Sequence, residues 1–129
     1  MFFIGQMIHL ILIYLMSEER LQSEIIKYIK LQYPKVRYCA SLGGIYTGPR
    51  QAIKAKRTGY SRGFPDLQFT EARKGFNGLF IEIKTHKGTA TQVQKEWIKD
   101  LQDRGYKAEI CKGIGPILDL IDWYFETDK

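Results

Sequence analysis

Residues 65–72 read PDLQFTEA, and residues 79–85 read LFIEIKT. Polar and apolar residues alternate in both stretches, which predicts two β-strands because successive side chains of a strand point to opposite faces. Between them, residues 73–78 read RKGFNG and are typical of a turn. The two stretches are therefore predicted to form a β-hairpin.

One face of this hairpin carries charged residues of both signs. Glu82 and Lys84 share a face of the second strand, and Asp66 opens the first. A turn centred on residue 75 would pair Asp66 with Lys84 and bring it beside Glu82. Two neighbouring carboxylates repel unless a cation lies between them, so this face fits a hard divalent ion such as Mg²⁺. The alternative is an ordinary cross-strand ion pair on an exposed sheet face.

The residues around the hairpin predict helices and further strands. An amphipathic helix is expected over residues 18–33, with Ser17 as its N-cap, and a short strand over 35–42. Downstream, Thr91 can cap a helix over 92–104. The inward residues of that helix are expected to be Val93, Trp97, Ile98 and Leu101.

The C-terminal part of the chain continues the same alternation of elements. Residues 107–112 predict a strand, 113–116 a turn, and 117–125 a final helix. Strands interspersed with helices are best accommodated by an α/β fold, in which a mixed central β-sheet is flanked by helices.

A basic, glycine-rich stretch precedes the hairpin. Residues 43–63 predict a long loop with a helical turn near 51–56. No acidic residue occurs from Lys35 to Arg62, where the basic residues are Lys35, Arg37, Arg50, Lys54, Lys56, Arg57 and Arg62. Such a block suggests a polyanionic partner, most simply nucleic acid, although a solvated basic loop is an equal alternative on charge alone.

Length and composition limit the remaining options. The chain has 129 residues and a net charge of +6, with 44% hydrophobic and 26% charged residues, which is ordinary for one globular domain and excludes a disordered chain. Two cysteines cannot form a disulfide framework, and without a cysteine or histidine cluster a zinc module is not expected.

Residues 1–16 differ from the rest because they are apolar and carry no formal charge. This stretch is shorter than the roughly 20 residues that cross a bilayer, and it lacks the basic start and cleavage site of a secretory signal. We expect an N-terminal extension over 1–16 and a domain over 17–129. The extension could be an over-extended start, a loose tail, a membrane anchor, or a helix packed on the domain or at a dimer contact.

The motifs together resemble a known nuclease family. The quartet Gly63-Phe64-Pro65-Asp66, the stretch 80–84 and the run Thr91-Gln92-Val93-Gln94 before Trp97 are similar to the VRR-NUC branch of the PD-(D/E)xK nuclease superfamily. The resemblance covers about residues 17–125 and includes the opening helix. It implies a restriction-endonuclease-like core.

The resemblance also implies a role for each motif residue. Asp66 and Glu82 would bind Mg²⁺ or Mn²⁺ together with the backbone carbonyl of Ile83. Lys84 would position the attacking water and help to deprotonate it, and Gln94 would support the site as part of the catalytic set.

A further metal ligand is expected from the opening helix. Glu18 would reach the metal directly or through water. Glu18 is preferred over Glu19 because it borders the apolar stripe of that helix, whereas Glu19 points away from it.

The function implied is a metal-dependent, structure-selective DNA endonuclease. By similarity to stand-alone members, which resemble Holliday-junction resolvases, we expect a homodimer acting on branched or duplex DNA, without a small-molecule cofactor or membrane, in the cytoplasm of a bacterial or phage-infected cell. The DNA contacts are expected from Arg37, Arg50, Lys54, Lys56, Arg57 and Arg62. The alternatives are a non-catalytic DNA-binding module with a nuclease-like fold, and an RNA-directed or adaptor protein.

Overall fold

The computed structural model describes residues 2–41 and 48–126. The chain divides into two compact units. Unit 1 comprises Met1–Val36, Ile83–Thr89 and Cys111–Lys129, and unit 2 comprises Arg37–Glu82 and Ala90–Ile110.

Five helices and four strands make up the described chain. In chain order they are α1 (Phe2–Tyr14), α2 (Glu18–Gln32), β1 (Cys39–Ala40), α3 (Pro49–Arg57), β2 (Leu67–Phe69), β3 (Leu79–Lys84), α4 (Gln92–Asp103), β4 (Lys107–Lys112) and α5 (Ile114–Phe125).

The strands form one mixed sheet in the order β1-β2-β3-β4. The pairs β1–β2 and β2–β3 are antiparallel. β3 and β4 run in the same direction, because Lys107 N donates to Gly78 O at the start of both strands and Gly113 N donates to Lys84 O at their ends, each at 2.9 Å. The expected α/β fold with a mixed sheet and helices is confirmed.

Within unit 1, helices α2 and α5 bury their apolar faces. The buried residues are Leu21, Ile25 and Ile29 in α2, and Ile117, Leu120, Ile121, Tyr124 and Phe125 in α5. The hydroxyl groups of Tyr28 and Tyr33 both donate to Asp122 Oδ1, at 2.7 and 2.6 Å. The hydrogen bond to Asp122, with burial and nearby acidic charge, raises the pKa of Tyr28 to about 12.

The core of unit 2 forms around Phe80 of β3. Phe80, Ile98, Leu101 and Ala108 are buried together, and Phe64, Trp97, Tyr106 and Ile110 pack against them. The Phe80 ring meets the rings of Phe64 and Tyr106 edge to face, at centroid distances of 5.8 and 5.2 Å. Because Phe80 and Glu82 lie two residues apart in one strand, this packing fixes the strand that carries the acidic residue.

The apolar N-terminal segment forms α1, a helix without a charged residue. Its large apolar side chains from Phe3 to Leu12 are exposed, and the Tyr14 ring stacks on His86 at 5.3 Å. Within the described residues, no helix is both long and apolar enough to cross a membrane. The boundary at residue 17 stays a prediction.

Several predicted elements are wrong in extent. The turn predicted over 113–116 is the start of α5, because a proline is tolerated in the first turn, where its missing N–H has no helical partner. The predicted strands over 35–42 and 66–72 shorten to two and three residues.

The basic loop and one inward residue also differ from prediction. The nine-residue helix α3 occupies much of the expected loop, whose residues 42–47 lie outside the described residues. Val93 was expected to face inward, yet 41% of it is exposed. It lies in the first turn of α4, one turn before the buried face that begins at Trp97 and Ile98.

Candidate active site

The hairpin β2–β3 sets the positions of the charged residues. Leu67 pairs with Ile81, and Phe69 with Leu79, so continuing this register by one step places Asp66 opposite Glu82. The turn is tight, because Arg73 bridges to Phe76 across two residues with positive φ, Lys74 at 54° and Gly75 at 84°.

The expected pairing of Asp66 with Lys84 is therefore wrong by two residues. The predicted face is nevertheless correct, because side chains alternate with a period of two and an even shift keeps them on the same side. Asp66 is closer to Glu82 in register than the sequence suggested.

Burial singles out the motif residues from all other charges. Among the described residues, the buried charged side chains are Asp66, Glu82 and Lys84, with exposed fractions of 8%, 1% and 9%. Withdrawing charges from water is costly unless other groups compensate for the lost hydration. Three buried charges, two in β3 and one just before β2, are therefore costly to the fold and mark a candidate functional site.

The carboxylates are also close together. Asp66 and Glu82, both in unit 2, each offer one oxygen atom, and these two atoms lie within 4.8 Å of each other. Glu18 is exposed at the first position of α2 in unit 1, and its predicted role as a metal ligand stays a prediction. Sharing one ion would offset the repulsion between these charges.

The chemistry of these donors fits a hard cation. Asp66 and Glu82 both offer carboxylate oxygen and neither offers sulfur or imidazole, which matches the preference of Mg²⁺ and Mn²⁺ rather than that of zinc or copper. The backbone of Ile83 lies between Glu82 and Lys84, and its side chain is buried. Its predicted role as a ligand through the carbonyl oxygen stays a prediction.

Gln94 links the first turn of α4 to Glu82. Its side-chain Nε2 donates to Glu82 Oε1 at 2.9 Å. Its Oε1 accepts from the backbone N–H of Thr91 at 2.9 Å, while Thr91 Oγ1 accepts from Gln94 N at 3.2 Å. Gln94 therefore supports an acidic residue while it closes the capping box of α4.

The segment leading into Asp66 is held against α4. Gly63 has a φ of +87°, and a Cβ atom there would lie 2.6 Å from Val93 Cγ1. Trp97 Nε1 donates to the carbonyl of Arg62 at 3.2 Å, and its ring meets that of Phe64 edge to face. The glycine in the motif is thus explained by a backbone conformation and a close approach that a side chain would disturb.

Tyr60 is a neighbour of the site that the strand pattern did not identify. Burial raises its pKa, and the negative charges of Asp66 and Glu82 raise it further. Tyr60 lies beyond α3 in the basic stretch, and nothing in its spacing links it to either carboxylate.

The six basic residues expected to bind DNA are all exposed. On α3, a rotation of about 100° per residue places Arg50, Lys54 and Arg57 on one face and Lys56 about 120° away from its centre. Ala55, the half-buried residue of α3, lies on the opposite side of the helix from these three residues. The role of all six in DNA binding stays a prediction.

Known proteins match this chain in sequence and fold. It is 33% identical to a Fanconi-associated nuclease 1 homolog of Oryza sativa subsp. japonica over 61 residues, which are 45% of this chain and 6% of that protein. A solved structure of a VRR_NUC domain protein has a TM-score of 0.73 and 34% identity, over 85% of this chain and 88% of that one. The sequence model of the VRR-NUC domain matches residues 16–114, and the chain therefore belongs to the VRR-NUC nuclease family.

Proposed function

We propose that this protein is a DNA endonuclease that requires Mg²⁺ or Mn²⁺. The observation that carries the proposal is the burial of the three charges of the motif, Glu82 and Lys84 in β3 and Asp66 just before β2. A non-catalytic DNA-binding module has no need to keep these charges out of water, since exposed lysine and arginine side chains make the phosphate contacts.

The residues of this chain would divide the work of hydrolysis. Asp66 and Glu82, with the Ile83 carbonyl and Glu18, would hold the ion. When bound, such an ion supplies charge that stabilises the phosphodiester transition state and lowers the pKa of a coordinated water. Lys84 would hold the attacking water and help to remove its proton. Gln94 would keep the Glu82 carboxylate oriented.

The basic residues would supply affinity without reading sequence. Arg50, Lys54 and Arg57 on α3, together with Lys56, Arg37 and Arg62, would contact phosphates. Selectivity would then come from DNA shape, and we propose branched DNA such as Holliday junctions as the preferred substrate, with duplex DNA as the reference.

Two further features belong to the same proposal. A homodimer would carry two active sites, which could cut two DNA strands symmetrically. The enzyme would act in the cytoplasm. The Oryza sativa relative is called a nuclease, which supports the reaction class, but this chain spans 6% of it, so the activity of the whole relative is not transferred.

A panel of junction, flap, splayed and linear DNAs, each with Mg²⁺, Mn²⁺ or a chelator, tests the proposal. We expect cleavage that depends on the metal, that is fastest on branched DNA and that leaves a 5′-phosphate. The mass of the protein in solution would be measured at the concentration used for cleavage, and the mass of a homodimer is expected. Binding without cleavage of any DNA by the metal-loaded protein would favour the non-catalytic alternative, and preferential cleavage of RNA would favour a different substrate.

A further inference from the structure

The side chain of Gln94 is hydrogen-bonded at both ends of its amide. Oε1 accepts from the backbone N–H of Thr91, and Nε2 donates to Glu82 Oε1, both at 2.9 Å. The same Thr91 also accepts from the backbone N–H of Gln94 through Oγ1 at 3.2 Å. Thr91, Gln94 and Glu82 thus form a short chain of bonds that ends on a carboxylate buried at 1% exposure.

The direction of this chain is fixed by chemistry. A backbone N–H can only donate, so the amide atom that faces Thr91 must be the oxygen. The NH₂ group must then face Glu82, where it donates to a carboxylate oxygen. If the amide were free to turn over, its oxygen would face the carboxylate oxygen and the two acceptors would repel.

We infer that Thr91 is a positioning residue of the acidic site, which acts through Gln94 on Glu82. Its Oγ1 bond holds the N-cap in an extended conformation, with φ −76° and ψ 164°. In this conformation its N–H points at the Gln94 amide. Thr91 therefore both stabilises the start of α4 and orients the amide that is bound to the Glu82 carboxylate.

This inference rests on the proposed function, because it assigns the consequence of the Thr91 bond to metal binding by the carboxylates. Its test is therefore Mn²⁺ binding to the free protein, measured by electron paramagnetic resonance or calorimetry, beside the melting temperature of each variant. Cleavage at increasing metal concentration supplies a second measurement.

We expect Gln94→Ala to raise the Mn²⁺ dissociation constant about tenfold or more, because groups that orient metal ligands typically contribute about 10- to 100-fold. Thr91→Ala should raise it less, about three- to tenfold, because Thr91 acts on the ligand only through Gln94. Thr91→Ser keeps the hydroxyl group and should restore binding. Cleavage by Thr91→Ala should need more metal but approach the wild-type rate at saturation. Gln94→Glu is the sharper variant, because its carboxylate still accepts from Thr91 N–H but no longer donates to Glu82, so it should keep the cap and lose affinity.

The matched control is Gln102→Ala near the other end of α4. Gln102 Nε2 donates to the carbonyl of Ala108 at 2.8 Å and is remote in sequence from the capping box. It should lower the melting temperature without changing Mn²⁺ binding. Equal loss of affinity in Gln102→Ala and Thr91→Ala would overturn the inference, because general weakening of the helix would then explain both.

Asp66→Ala distinguishes a failure of the role inferred for Thr91 from a failure of the metal site. If Thr91→Ala binds Mn²⁺ like the wild type while Asp66→Ala does not, Thr91 only caps a helix and the metal site stands. If Asp66→Ala also binds normally, the metal site of the proposed function fails, and the inference fails with it.

Discussion

The acidic face of the hairpin and the basic helix α3 belong to the same unit, yet they are built in opposite ways. Asp66 and Glu82 are buried, and Glu82 is held by Gln94. Helix α3 has no buried residue, and its arginines and lysines are exposed. The first region keeps charges in fixed positions out of water, whereas the second presents charges to solvent.

The difference follows from what each region is proposed to do. Stabilising a transition state requires groups that are in position before the reaction, because reorienting them costs part of the benefit. Attracting a polyanion requires only charge of the right sign within reach, and each contact adds a similar increment. Substitutions in the acidic region should therefore have large effects that are not additive, and those on α3 should have small effects that sum.

The largest effect is expected from removal of a carboxylate. Asp66→Ala should lower cleavage roughly a thousandfold or more, since a metal ion contributes several kcal/mol of charge stabilisation and each 1.36 kcal/mol is tenfold in rate. The rate of Mg²⁺-dependent nicking is the measurement. Glu71→Gln, at an exposed acid on the same hairpin, is the control and should cleave normally. Normal cleavage by Asp66→Ala would remove the acidic region from the reaction.

Lys84→Ala should show most clearly that the acidic region controls cleavage whereas the basic region controls DNA affinity. Losing the group that positions water is expected to lower cleavage about 10²- to 10⁴-fold, the range typical of proton-transfer groups. DNA affinity should change little, because one buried ammonium group attracts phosphate less than the exposed lysine and arginine side chains do. Rate and dissociation constant would be measured on the same DNA. An equal loss of both would mean that Lys84 acts as a DNA contact.

The basic helix should respond in a graded way to salt and substitution. Changing Arg50, Lys54 and Arg57 together to alanine should reduce the slope of log K against log salt by about 2.7, since each phosphate neutralised contributes about 0.9. Fluorescence anisotropy over a salt series gives the slope. Lys99→Ala, at an exposed lysine of α4 that is not among the six proposed phosphate contacts, is the control and should change it little. A triple variant with an unchanged slope would show that α3 does not contact DNA.

One added methyl group in the segment that leads into Asp66 should lower the stability of the fold. Gly63→Ala should destabilise the fold by about 1–3 kcal/mol, because it combines a positive φ with a Cβ placed against Val93. Gly59→Ala provides the comparison, since Gly59 has a φ of +112° but nothing within 4 Å of a Cβ. Urea unfolding of both separates the close contact from backbone strain. Equal losses would mean that the contact with Val93 is accommodated freely.

Tyr60 lies between the two regions in sequence and allows a smaller test. Its N–H donates to Ala55 O of α3 at 2.9 Å, and burial raises its pKa together with the charges of Asp66 and Glu82. Removing one negative charge makes the phenolate easier to form, so Asp66→Asn should lower the pKa of Tyr60. The ultraviolet titration difference between each protein and its Tyr60→Phe counterpart isolates this tyrosine. An unchanged titration would place Tyr60 too far from Asp66 to sense its charge.

The sequence predicted the acidic region well because strand alternation is local. Glu82 and Lys84 share a face whatever the turn, and Asp66 keeps that face under any even shift of register. The shift itself was missed because three residues, 70–72, oppose two, 77–78, between the Phe69–Leu79 pair and the Arg73–Phe76 bridge, and such an irregularity cannot be read from residue types alone. The prediction that Val93 faces inward was wrong because helical periodicity does not show where the buried face of α4 begins.

The basic region was predicted as a composition rather than as a structure. Glycine and proline around residues 43–63 favoured a loop, whereas Pro49 stands at the first position of α3, where proline is tolerated. The proximity of Tyr60 to the carboxylates depends on how the chain returns from α3, and it has no local signal. The contrast with the hairpin is that a strand face follows from spacing, whereas a contact across a loop does not.

The measurement that tests the central claim most directly is a crystal structure with Mn²⁺, in which anomalous scattering locates the ion. We predict one strong peak within about 2.0–2.4 Å of carboxylate oxygens of both Asp66 and Glu82, a distance typical of oxygen-bound divalent ions. Asp66→Ala crystals grown in the same solution should lack this peak. Manganese bound elsewhere, with Asp66 and Glu82 holding none, would contradict the account.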